Sequence, residues 1–118
     1  MRNLSWILAI ATVISTTALA VDLTGDWKAT DSNIYIRQSN EEIWWLCEES
    51  GATPSWTSVA YGTIEGNRVM LKWADVPKAN ATLIGTLELN ITSNDELQVV
   101  NQTGGWSGPG TKIMRGKS

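Results

Sequence analysis

Ala60-Tyr61-Gly62-Thr63-Ile64-Glu65-Gly66-Asn67-Arg68-Val69-Met70-Leu71-Lys72-Trp73 reads as two strands joined by a two-residue turn at Gly66-Asn67. Folded about that turn, Ile64 faces Val69, Gly62 faces Leu71 and Ala60 faces Trp73. Small residues then meet large ones on one face, as a filled interior requires. Because a slip of one residue turns every side chain to the other face, this match tests the register itself.

The same construction extends outward. About Asn40-Glu41, Ile36 faces Trp45 and Ile34 faces Cys47, while Arg37 meets Trp44 and Tyr35 meets Leu46 on the other side. A three-residue loop at Ser93-Asn94-Asp95 aligns Leu89 with Val99 and Ile91 with Leu97. Hydrophobic residues recur with period two, and no long stretch has the 3.6-residue period of an amphipathic helix. Eight strands are expected, at residues 23–29, 34–38, 42–48, 56–65, 68–73, 83–92, 96–103 and 111–115. The second, fourth and sixth connections are tight. The first, third, fifth and seventh are longer, at residues 30–33, 49–55, 74–82 and 104–110. Alternate connections of an up-and-down meander lie at the same end. The expected fold is therefore all-β: an antiparallel up-and-down meander barrel of about eight strands, with one closed end and one open end carrying the long loops.

Residues 1–20 have Arg2, an apolar run from Leu4 to Ile14 and the ending Ala18-Leu19-Ala20, the layout of a signal peptide. The apolar run is shorter than the ~20 residues of a membrane span. Export to a secreted or periplasmic location is expected, with residues 21–118 forming a single barrel domain and no membrane span after cleavage. Cleavage leaves 98 of 118 residues, with eight basic against twelve acidic side chains and a net charge of −4. Nucleic acid, which needs clustered Lys and Arg, is not an expected partner. Cys47 is the only cysteine, so no intrachain disulfide braces the domain. Stability must come from the core. The six Trp beyond Trp6 are its main source, since burying one ring removes ~150–250 Å² from water, an upper bound of roughly 4–6 kcal/mol.

Leu23-Thr24-Gly25-Asp26-Trp27 opens the domain and Lys112-Ile113-Met114-Arg115 closes it. With the meander between them, these segments resemble the avidin and lipocalin group of calycin-type barrels. The resemblance implies that Trp27 packs beneath Arg115 at the closed end and that Gly25, Trp27 and Arg115 are structural. Ile36-Arg37-Gln38, Trp44-Trp45, the run from Tyr61 to Asn67 and Lys72-Trp73-Ala74-Asp75-Val76-Pro77-Lys78 are also similar to a pattern in small exported microbial proteins. That second resemblance implies no chemistry.

The candidate ligand-binding residues are Trp45 and Trp73 as inward-facing wall, Trp56 and Trp106 as rim, and Glu48 and Asp75 as polar groups at the mouth. Wall indoles serve equally as plain core, and rim indoles as lid packing. Glu48 and Glu49 flank the mouth with Asp31 nearby, but neighbours on a strand face opposite ways, so the two glutamates do not form an acid–base pair. There is no His, which removes the usual base for a Cys47 nucleophile and the usual transition-metal ligand. Gly104-Gly105-Trp106-Ser107-Gly108-Pro109-Gly110 lacks the lysine of a phosphate loop. No catalytic residues, metal site or cofactor are expected. The sequons at Asn80, Asn90 and Asn101 matter only in an N-glycosylating host. Two functions remain: a binding protein holding a small, partly apolar molecule in the mouth, or an interaction module using Trp44, Leu46 and Tyr35 on the outside of a filled barrel.

Overall fold

The computed structural model describes residues 21–76 and 83–116. The expected signal peptide at 1–20, Lys78 and the Asn80 sequon lie outside the described residues. Eight strands follow one another: β1 (Gly25–Ala29), β2 (Ser32–Ser39), β3 (Glu42–Glu49), β4 (Thr57–Glu65), β5 (Arg68–Asp75), β6 (Ile84–Ser93), β7 (Glu96–Gln102) and β8 (Lys112–Arg115). Each pairs antiparallel with its neighbour in sequence, and β1 pairs with β8 through Trp27–Arg115 and Lys28–Met114. The result is a closed eight-stranded meander, compatible with a small calycin-like barrel.

The registers follow from the period-two pattern. Ile64 pairs with Val69, Gly62 with Leu71 and Ala60 with Trp73. Ile36 pairs with Trp45 and Ile34 with Cys47. Along β3, Ile43, Trp45 and Cys47 point inward while Glu42, Trp44 and Leu46 point out. The tight turns supply the chirality these pairings need. Gly66 sits at φ 59° and Asn40 at φ 55°, the region glycine occupies freely and asparagine tolerates.

Two connections differ from expectation. The first is a two-residue turn, Thr30-Asp31, because the ladder continues through Ala29–Ser32 and Ser32–Glu49 pairs. The polar run had the composition of a loop, yet Ser32 is buried at an inward strand position. Among the described residues, the long connections at the open end are those at 50–56 and 103–111, while residues 76–83 join β5 to β6. The sixth connection is shorter too: Ser93 pairs with Glu96, leaving Asn94-Asp95 as the turn and a register shift between Ile91 and Ser93. A second shift lies between Glu88 and Leu89, where β7 bulges at Val100.

The lower barrel is filled. Ile34, Ile43, Leu87, Leu89, Leu97 and Ile113 are all buried in one core cluster with Trp27. Leu23 stoppers the closed end: its carbonyl accepts the Trp27 indole N–H at 2.9 Å and its own N–H reaches the Gln38 Oε1 at 2.9 Å. Above the indole lies the Arg115 guanidinium, 4.5 Å from the ring centroid. Its nitrogens donate to the carbonyls of Asp22, Thr24 and Asn94 and to the Asp95 carboxylate. One guanidinium thus joins the N-terminal segment, the β6–β7 turn and β8. A β-carbon on Gly25, at φ 138°, would lie 3.5 Å from Arg115 Nη1.

Candidate functional site

At the other end the interior opens into a cavity of about 670 Å³. Trp73, near the end of β5, and Trp56, just before β4, line it with Trp106 from the last long connection. Ser32 and Ser58 occupy the inward positions at the start of β2 and β4, and Ser107 and Thr111 join the lining from the connection between β7 and β8. Three carboxylates, Asp31, Glu49 and Asp75, complete the polar lining.

The 103–106 segment is held over this space by specific contacts. Because β7 bulges at Val100, Gln102 falls opposite inward-facing Leu87. Its Oε1 accepts the backbone N–H groups of Gly105 at 3.1 Å and Trp106 at 2.8 Å. The Trp73 indole donates to the Thr103 carbonyl at 3.1 Å, and the Thr103 hydroxyl accepts the Thr86 N–H. Two glycines make this approach possible. A β-carbon on Gly85 would overlap the Thr103 carbonyl, and one on Gly104, at φ 88°, would overlap the Ile84 carbonyl and come within 2.9 Å of Trp73. Trp106 then stacks over Trp45 with centroids 5.6 Å apart and rings tilted by 50°.

Of the residues singled out from sequence, Trp56, Trp73, Trp106 and Asp75 line one cavity. Trp45 does not line it. It is buried beneath Trp106, and its indole Nε1 has no hydrogen-bond partner among the described residues. Glu48 is a correction of place: it points to the outer face, where its carboxylate accepts from the Tyr35 hydroxyl at 3.3 Å. Odd-numbered residues of β3 face inward, so Glu49 is the glutamate at the mouth. Its Oε1 accepts from both the Ser55 N–H at 2.8 Å and the Ser55 hydroxyl at 2.7 Å. Those bonds favour the ionised form and hold its carboxyl below the ordinary range. Asp75 Oδ2 accepts the Leu83 N–H at 3.1 Å.

Ser32, Ser58 and Gln102 were not singled out from sequence. Inward parity at a mouth-proximal strand end is the signal that marks the serines. Gln102 has no such signal, because the bulge shifts its parity. Ser58 is only 1% exposed, and its hydroxyl has no hydrogen-bond partner of ordinary geometry among the described residues. Directly across the β3–β4 ladder from it, burial pushes the Cys47 thiol up to about 11, although the nearby Ser32 and Ser58 hydroxyls pull the other way. At neutral pH this sulfur is a protonated thiol, a poor nucleophile. Among the described residues no group of three or more His, Cys, Asp and Glu is arranged to hold a metal ion.

The outer face carries its own aromatic cluster. Trp44 and Tyr61 pair across β3 and β4 with ring centroids 5.3 Å apart, and the Tyr61 hydroxyl donates to Glu42 at 2.9 Å. That bond to a carboxylate raises the Tyr61 pKa. Beside them, Tyr35, Leu46 and Val59 form a row of exposed cross-strand neighbours. No protein-family model matches this chain, and comparisons with curated proteins and with solved structures likewise give no match.

Proposed function

We propose that this chain is an exported barrel that holds a small, partly apolar molecule in its mouth. The observation that carries the reading is the cavity of about 670 Å³ bordered by three indoles above a filled core. Small-molecule sites are typically concave spaces of ~300–1,000 Å³ with aromatic walls and a few polar groups. The layout of residues 1–20 supports export. The Trp27–Arg115 stack with Gly25 beside it supports placing the barrel near the avidin and lipocalin group.

Intrinsic tryptophan fluorescence, titrated with a library of lipids, vitamins and sugars, tests the proposal. A bound ligand is expected to quench or shift the emission, and Trp106→Ala is expected to weaken its affinity about tenfold, the equivalent of ~1.4 kcal/mol. If no compound changes the emission and native mass spectrometry finds no retained molecule, the reading fails.

The outer aromatic patch favours a second reading, an interaction module that recognises another protein. Its support is the contiguity of Tyr35, Leu46 and Val59 beside stacked Trp44 and Tyr61. Trp44→Ala is then expected to abolish any partner binding or self-association of the parent in pull-down and sedimentation velocity. A variant that associates like the parent rules the patch out.

A further inference from the structure

We infer that the mouth selects a small organic cation, a molecule with an ammonium group on an apolar or aromatic body. The inference rests on the mouth reading and narrows it to a ligand class. Three features converge. Asp31, Glu49 and Asp75 share the lining, and these carboxylates would repel an anionic ligand on entry. Trp56, Trp73 and Trp106 share that lining, and an indole face attracts a cation more strongly than any other side-chain ring.

The third feature is independent of the charges. Ser58 lines the cavity, is almost fully buried and, with only the weakly bonding Cys47 thiol near it, has no partner of ordinary geometry for its hydroxyl among the described residues. A buried hydroxyl without a partner is costly to the folded protein. An ammonium N–H donated to Ser58 Oγ supplies the missing bond. Glu49 is suited to the counter-charge, since Ser55 occupies Oε1 and leaves Oε2 without a hydrogen bond among the described residues. The Ser55 contacts also fix the carboxylate before any ligand arrives, which lowers the ordering cost of binding.

The test compares three probes of similar size by isothermal calorimetry: 2-phenylethylammonium, 2-phenylethanol and 3-phenylpropanoate. The cation is expected to bind about tenfold or more tightly than the alcohol, with the carboxylate weakest and the cation's advantage shrinking as salt rises. Glu49→Gln keeps an oxygen for Ser55 and is expected to erase the preference. Ser58→Ala is expected to weaken the cation while leaving the melting temperature unchanged or higher, a split that a purely structural serine does not produce. Equal binding of cation and alcohol overturns the inference and leaves the mouth reading standing. So does silence from all three probes when the wider library yields only a neutral or anionic ligand, whereas a cationic hit supports it. If neither panel yields a binder, both readings fall.

Discussion

Trp27→Ala is expected to cost about 3–5 kcal/mol, the range for removing a large aromatic from a close-packed core. Native domains have only ~5–15 kcal/mol in total, so the variant loses a large share of its stability. The indole is 1% exposed, donates to the Leu23 carbonyl and supports the Arg115 guanidinium. Its loss leaves a cavity, an unpaired Leu23 carbonyl and a cation without its ring. The cation–ring contact is the smallest of these at ~0.5–2 kcal/mol. Trp27→Phe retains much of the ring but lacks the N–H, and its cost should be clearly smaller. Urea unfolding midpoints of the three proteins decide the matter. A Trp27→Ala midpoint within about 0.5 M of the parent, roughly 1 kcal/mol at usual slopes, would show that Trp27 does not hold the closed end together.

Gly85→Ala is expected to have the second largest effect, and at the opposite end. The added methyl runs into the Thr103 carbonyl, the group that accepts the Trp73 indole N–H. Neither strand can yield easily, because Gly104 already sits against the Ile84 carbonyl and Trp73. Overpacking of this kind costs about 1–3 kcal/mol. The 103–106 segment should lift, exposing Trp73 and unstacking Trp106 from Trp45. The measurable signs are a red-shifted tryptophan emission, a lower melting temperature and, for a ligand of the proposed mouth site, about a tenfold loss of affinity. Gly108→Ala provides the contrast. A β-carbon there meets nothing within 4 Å, and the variant should behave as the parent. Equal emission spectra for the Gly85 and Gly108 variants would mean that the lid is not held by the close approach at Gly85.

The two ends of the barrel differ in how far they can be read from the chain. Inside and outside were legible strand by strand, since alternation such as Ile43, Trp45, Cys47 against Trp44, Leu46 is a local property that any antiparallel ladder must respect. The turns at Asn40-Glu41 and Gly66-Asn67 then set the register. The β1–β2 connection was misjudged because Ser32 and Asn33 are polar, and composition alone does not separate a loop from a strand end at a wet mouth. The lining of the cavity was legible in Trp56, Trp73 and Trp106 and less so in its polar groups. Glu49 takes the place that Glu48 was expected to hold, although parity along β3 distinguishes them.

What the sequence by itself determined is the all-β meander, its hairpin registers and its inward-facing set. These follow from period-two alternation and short-range turn geometry, which act between residues close along the chain. Closure through Trp27 and Arg115, expected from the resemblance, is met by the β1–β8 pairing; only the tertiary structure decided that the lower part of the barrel is filled and that a cavity remains above. The bulge at Val100, the approach of Thr103 to Gly85 and the lone Ser58 hydroxyl are likewise tertiary facts. Each depends on how distant strands curve and pack against one another, and no local pattern along one strand encodes that distance.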